Sequence, residues 1–379
     1  MDISPLLKIA SGRNQLPAII AYNRIDGPGS SLDLREFQQS LWRLPETSGS
    51  NESDESALWT EALPRTIGIT IDIGTRIEAR PFDPGLIAVR SIEYGTESTA
   101  RAGHVIPTKE NWLLKILDVF GISGVMFVLH NLRPGIHSLG LGGSATATTG
   151  VVILANELAG RPLSSPQVIS LASRMEQDLG VSLTGTQEQA NVVYGGVVDY
   201  VWFPWGIPER ADSGYGSCLR YELLQKKDYP ELEQRMAVFH SGHTRASTDV
   251  NSVWMKALST AEGYQLHQTK IEIAYRFREA IRLRKWHEAI EATRKYQEVR
   301  TKLCSQYMEG STEILGFAEQ NDSAAFPLGA GGGGAVLVLA PDSASLQRLR
   351  QELSGAYREI NFRILENGHD LINLPLERR

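Results

Sequence analysis

Gly140, Gly142 and Gly143, followed at once by Ser144 and Ala145, stand directly before an apolar helical run, within the glycine-rich stretch 133–150. Without Cβ atoms, the glycines let backbone N–H groups turn inward, and Ser144 adds a hydroxyl beside the helix N-terminus. The orphan N–H groups and the positive end of the helix dipole then face whatever the loop holds. A polyanion such as a nucleoside triphosphate is the expected occupant. A Walker loop is excluded, because it needs a lysine after its second glycine and none occurs between Lys115 and Lys226. The dinucleotide fingerprint fits only superficially: it needs a tight turn straight out of a strand, and residues 131–139 separate the nearest strand pattern, 125–130, from Gly140. The plain alternative is a glycine-rich turn that only starts a helix.

A second run argues against that alternative. Residues 329–334 hold five glycines in six positions, with Gly331, Gly332 and Gly333 at the centre, and a buried-strand pattern follows. So many glycines are entropically unfavourable unless another backbone or a ligand approaches closely. Two glycine loops far apart in the chain imply one site assembled from both.

The elements that must position them are legible in outline. Ile67, Ile69, Ile71 and Ile73 alternate with polar or small residues, predicting a half-buried strand, and 86–92 predicts another. Helical patterns fall at 111–120, 145–158, 166–179 and, very long, 269–296. Strands at 236–240, 334–340 and 360–365, with a helix at 343–354, predict a second α+β layer. The acidic, serine-rich segment 46–56 reads as a surface insertion, and the Pro and Gly cluster at 204–215 as a domain boundary. A chain of 379 residues is long enough for two domains. Its net charge of −6 argues against nucleic acid or anionic membrane as partner. With two cysteines, Cys218 and Cys304, no disulfide framework or zinc cluster is implied. No secretory leader pattern or apolar run of the ~20 residues that span a membrane is read, so the expected location is the cytoplasm.

The two glycine loops together resemble those of the GHMP kinase family, the galactokinase, homoserine kinase, mevalonate kinase and phosphomevalonate kinase group. Residues 140–145 resemble its second motif and 329–334 match its third. Residues 24–33 are similar to the Arg-Ile-Asp…Gly-Gly…Thr-Asp first motif of the sugar-kinase branch. Within the family, 184–196 and 240–247 are similar to segments of heptose 7-phosphate kinases and of the kinase half of fucokinases. The resemblance implies an α+β, two-domain fold: a ribosomal-protein-S5-like β/α nucleotide domain, 1–205, and a ferredoxin-like α/β layer domain, 206–379. It implies transfer of the γ-phosphoryl of ATP, with Mg²⁺, to a hydroxyl of a sugar or sugar phosphate.

The resemblance also distributes roles. Gly140, Leu141, Gly142, Gly143, Ser144 and Ala145 would bind the nucleotide, and Gly331, Gly332 and Gly333 would frame the site. Ser144 and Glu176 would hold Mg²⁺, whose preference is for hard oxygen ligands. Glu188 stands where the family has a catalytic Asp, and is assigned as general base. Asp33 would meet sugar hydroxyls, with Arg24 on a phosphate or bracing the site. Arg245, with His243, would grip a substrate phosphate. Departures from the family are Gly143 in place of the first Ser of a Ser-Ser pair, Pro28 in the first motif, and His137 in the loop. They leave open a GHMP-fold binding or regulatory protein without catalysis, or a kinase for a non-sugar acceptor. Tyr194, Trp202 and Trp205 read as core or domain-junction aromatics rather than sugar platforms. The expected partner is the small-molecule acceptor, with a homodimer left open.

Overall fold

A computed structural model describes residues 1–4, 7, 15–42, 63–135, 139–205, 214–243, 247–331 and 333–375. The chain begins β1 (Gln15–Asp26), α1 (Arg35–Leu41), β2 (Arg65–Pro81), β3 (Leu86–Ser91), β4 (Thr96–Arg101), α2 (Trp112–Phe120) and β5 (Val125–Asn131). There follow α3 (Gly143–Ala159), α4 (Ser165–Asp178), α5 (Gln187–Tyr194), β6 (Val197–Trp202), β7 (Cys218–Leu224), α6 (Tyr229–Glu233) and β8 (Met236–His240). The remainder is α7 (Ser247–Leu258), α8 (Ala261–Arg282), α9 (Trp286–Cys304), α10 (Thr312–Gln320), β9 (Ala324–Pro327), β10 (Ala335–Leu339), α11 (Ser343–Leu353), β11 (Arg358–Glu359) and β12 (His369–Pro375).

Eight strands form one sheet in the order β12-β1-β2-β5-β3-β4, with β6 and β7 branching from β2. The branch follows from the length of β2: residues 65–69 pair with β6 and 75–81 with β5. The second sheet is antiparallel, in the order β11-β8-β10-β9. With helices between its first and second and its third and fourth strands, this is the expected ferredoxin-like layer. The join at 206–213 and the acidic segment 46–56 lie outside the described residues. β7 and β12, both beyond that join, hydrogen-bond into the first sheet.

Five layers result. Helices α2, α3 and α4 cover one face of the first sheet through Ile19, Ile77, Phe127, Val151 and Leu117. On the other face, Ile67, Ile69, Ile71 and Ile73 pack with Phe277 and Ile281 of α8, Tyr296 of α9, and Val238 and Leu337 of the second sheet. Helices α10 and α11 close the far side. The isoleucine strand is therefore not half-buried as its alternation suggested. Gly68 and Thr70 between the isoleucines, and Thr66 before them, are buried too, and a Cβ on Gly68 would lie 2.8 Å from Asn191 of α5.

Two further expectations need correction. The helix expected over 269–296 is two helices, α8 and α9, folded back at 283–285, where Arg284 takes a left-handed φ of 56°. No Gly or Pro marks that turn; Arg284 is held by Asp228 at 2.6 Å and Glu231 at 3.4 Å. The strand expected over 360–365 is absent beyond an isolated bridge from Ile364 to Ile71, because the chain leaves the edge of β8 after Ile360, whose N–H donates to the Val238 carbonyl at 2.7 Å, and crosses to β2. Among the described residues no helix is long and apolar enough to cross a membrane.

Candidate active site

Both glycine loops meet. Residues 328–334 connect the antiparallel pair β9 and β10, and this hairpin loop lies against the loop that starts α3. A Cβ on Gly140 would sit 3.0 Å from the Leu328 carbonyl oxygen, and one on Gly329 3.1 Å from the Gly140 oxygen. Ala335 N–H donates to the Leu139 carbonyl at 2.8 Å. Gly140 and Gly142 have φ of 76° and 78°, so the glycines are required both by conformation and by close approach. Gly142 caps α3, whose first intrahelical bond is from Thr146 N–H to the Gly142 carbonyl at 2.9 Å. The N–H groups of Gly143, Ser144 and Ala145 therefore remain for a ligand. A Cβ on Gly143 would meet nothing within 4 Å, so this departure from the family leaves room rather than strain.

Beside the loops stands a chain of charges. Arg24, two residues before the end of β1, is buried: Nη1 donates to the Gly140 carbonyl at 3.0 Å, Nη2 donates to Glu188 Oε1, and Nε is ion-paired with Asp26 Oδ1 at 2.6 Å. Glu188 sits in the first turn of α5 and is 18% exposed. Its longer stem, relative to Asp, runs past Gly142, where a Cβ would lie only 2.8 Å from Glu188 Cγ. Asp33 caps the same helix, its Oδ2 accepting from the N–H groups of Thr186 at 2.8 Å and Gln187 at 2.9 Å. Burial, with repulsion from Glu188, pushes the Asp33 carboxyl up to about 7 against the pull of the Gln187 N–H.

Glu176, near the end of α4, is fully buried. Its Oε1 accepts from Ser144 Oγ at 2.5 Å and Thr148 Oγ1 at 3.0 Å, and its Oε2 from Gln189 Nε2 at 3.4 Å. Burial raises its carboxyl to about 7, although the Ser144 and Thr148 hydroxyls favour the ionised form. A buried carboxylate bonded to hydroxyls and an amide, at a cavity wall, fits a hard divalent cation. Among the described residues no three His, Cys, Asp or Glu side chains cluster to hold a metal on their own. Magnesium commonly takes one or two protein ligands and completes its shell with substrate phosphates and water.

All of this lines a cavity of about 1070 Å³. Its lining also includes Ser91, Tyr94, Asn111 and Trp112, and Ser182, Thr184, Asn251 and Ala330. Residues 140–145, Gly331, Gly333, Arg24, Asp33, Glu176 and Glu188 all reach it. His243 does not. It is exposed beyond β8, where its carbonyl accepts from Gly334 N–H at 2.6 Å. His137, Arg245 and Gly332 lie outside the described residues. Trp202 is a core residue, its Nε1 donating to Thr66 Oγ1 at 3.0 Å, and Tyr194 packs on Tyr200 under Arg220. Trp205, by contrast, is exposed beside Trp42.

Sequence reasoning missed Asp26, Arg300 and Lys270. Asp26 Oδ2 accepts from Gly329 N–H at 2.7 Å, and burial pushes its carboxyl up to about 6 against the attraction of Arg24. Arg300 of α9, also buried, donates to the carbonyls of Pro327 at 2.7 Å, Ala330 at 3.0 Å and Gly329 at 3.4 Å. Lys270 of α8 donates to the Ser30 carbonyl at 2.7 Å and sits 3.7 Å over the Trp254 ring. Asp26 alone carried a signal, its place in the Arg-Ile-Asp motif.

The family model for the GHMP kinase N-terminal domain matches residues 112–196, and that for the GHMP kinase C-terminal domain matches 277–359. The chain thus carries both GHMP kinase domains in order, on the two-domain GHMP kinase fold. A homoserine kinase of Corynebacterium aurimucosum is 36% identical over 112 residues, 29% of this chain and 35% of that protein. The chain therefore spans about a third of the length (35%) of the curated relatives it matches. Phosphomevalonate kinase of Streptococcus pneumoniae, solved with phosphomevalonate and AMPPNP, shares the fold with a TM-score of 0.67 at 13% identity, over 94% of this chain and 99% of that one. A D-glycero-D-manno-heptose 1-phosphate kinase from Bacteriodes thetaiotaomicron gives 0.61 at 14% identity, over 94% and 98%.

Proposed function

We propose that the chain is an ATP-dependent small-molecule kinase, moving the γ-phosphoryl of Mg·ATP to a hydroxyl of a sugar or sugar phosphate. The observation that carries this reading is the meeting of both glycine loops over one cavity that also contains Glu176, Glu188 and Arg24. The free N–H groups of 143–145 receive phosphate oxygens at the positive end of α3. Ser144 and Glu176 are the residues that would hold Mg²⁺, which neutralises phosphate charge when bound. Glu188 accepts the proton of the attacking hydroxyl; the new O–P bond forms as the bond to the β-phosphate oxygen breaks, and ADP leaves. Arg24 fixes the direction of Glu188, and Asp33 anchors α5 beneath it while facing acceptor hydroxyls. Residues 1–205 supply the nucleotide side and 206–379 the second glycine loop. The similarity to homoserine kinases favours, as a second reading, a non-sugar hydroxyl acceptor.

A panel of sugars, sugar phosphates and amino-acid alcohols, each offered with Mg·ATP, tests the proposal through ADP release. At least one acceptor should raise release well above the acceptor-free rate. Intact ATP binding without any acceptor-dependent release would support the non-catalytic binding protein instead.

A further inference from the structure

Asp26 is the last residue of β1, and on a strand residues two apart share a face, so it stands beside Arg24 in the cavity lining. A register shift between Tyr22 and Arg24 sets this end of β1 apart from the regular ladder with β2. Asp26 is fully buried and both oxygens are engaged: Oδ1 faces Arg24 Nε at 2.6 Å, while Oδ2 accepts from Gly329 N–H at 2.7 Å and from Ser30 Oγ at 3.3 Å. It is therefore no rival to Glu188 for the acceptor proton. The other two arms of Arg24 go to Gly140 of the first glycine loop and to Glu188. Gly329 is meanwhile held from its other side, its carbonyl taking Arg300 Nη2 at 3.4 Å.

We infer that Asp26 is a positioning residue: it fixes the guanidinium that aims Glu188 and ties that guanidinium to the second glycine loop. One buried carboxylate thereby sets the distance between the two walls of the cavity, which come from the two sheets. An ion pair kept only for stability is commonly replaceable by apolar side chains of similar volume without loss. Here the carboxylate pairs with the Arg24 guanidinium and accepts from Gly329 N–H, a group from a distant part of the chain, and no apolar side chain can replace that bond to Gly329.

The catalytic half of this inference rests on the kinase reading; the structural half does not. In Asp26→Asn the amide oxygen still accepts from Gly329 N–H, but Arg24 loses the charge that orients it. Asp26→Ala loses both links. The asparagine variant should keep the KM for ATP within about twofold and lose roughly ten- to a hundredfold in kcat, the penalty of a slightly misaimed Glu188. Amide hydrogen exchange over 328–331 should stay near wild type in the asparagine variant. In the alanine variant it should speed up about tenfold or more, with the loss of a charge-assisted hydrogen bond. Wild-type kcat in Asp26→Asn, or unchanged exchange in Asp26→Ala, would overturn the inference. So would kcat and KM changes in both variants that merely track their loss of thermal stability. If the alanine variant does not fold, the kcat-against-KM split of the asparagine variant decides. If the wild-type protein turns over no acceptor, the kinase reading fails, and the exchange comparison still decides whether Asp26 holds the loop.

Discussion

Replacing Gly142 with alanine isolates the contact between the first glycine loop and Glu188. At φ of 78° an alanine costs about 1–2 kcal/mol in backbone conformation alone. The new methyl carbon would also lie 2.8 Å from Glu188 Cγ and 3.7 Å from Arg24 Cζ. Restoring a normal carbon–carbon separation of about 3.6 Å moves the Glu188 stem by about 0.8 Å. Arg24 cannot follow freely, since Asp26 and the Gly140 carbonyl hold its other nitrogens. On the kinase reading, with Glu188 as the base, a displacement of that size lowers kcat by roughly ten- to a hundredfold. Gly160→Ala is the control: it caps the other end of α3 at φ of 61°, and its Cβ would meet nothing within 4 Å. Both variants should lose the backbone contribution by chemical denaturation, Gly142→Ala somewhat more because of the overlap with Glu188, and calorimetry should find nucleotide affinity little changed in either. Only Gly142→Ala should lose turnover. If the two variants retain kcat within twofold of each other, the packing of Glu188 against Gly142 does not govern catalysis and the reasoning fails.

Glu188→Gln should abolish acceptor-dependent ADP release while calorimetric affinity for Mg·ATP stays almost unchanged; full activity would remove Glu188 as base. Glu176→Gln gives a pH signature in the metal-free protein. Because the folded carboxyl titrates near 7 rather than 4.5, the folded state keeps a proton that the unfolded chain has released between those values, and wild-type stability falls as pH rises through that window. The stability of Glu176→Gln relative to wild type should therefore rise by on the order of 3 kcal/mol from pH 4.5 to pH 8 in denaturant titrations, and a flat difference would contradict the burial argument. Arg300→Met leaves the carbonyls of Pro327, Gly329 and Ala330 without their donor. It should destabilise the fold by about 3 kcal/mol in the same assay, with no change refuting the bracing role.

The glycine loops were legible from sequence because glycine runs are tolerated in a packed chain only where something approaches closely, and here that something is the other loop. The Glu176 site was legible only through family motifs; nothing in its local pattern distinguishes it from exposed Asp178. The Arg24 to Glu188 pair joins residues 164 positions apart, and local periodicity carries no information about such contacts. Arg300 is a single charge on a helix that looks like any solvated charge until a second sheet covers it, and Asp26 is marked only by its place in the Arg-Ile-Asp motif. The same covering layer explains the error over β2: Gly68 and Thr70 alternate as solvent-facing residues would, yet α5 packs on Gly68. The turn at 283–285 escaped notice because the helical period runs through it, and its stabilising partners, Asp228 and Glu231, lie far back in the chain.

If the two glycine loops frame a phosphoryl-transfer site with Glu188 as base, identifying the product tests it without intermediate assumptions. Purified protein incubated with Mg·ATP and the acceptor panel, followed by mass spectrometry of the small molecules, should yield one acceptor carrying one added phosphoryl group. That product should be absent with Glu188→Gln. Stoichiometric ATP binding with every acceptor recovered unmodified would contradict the account.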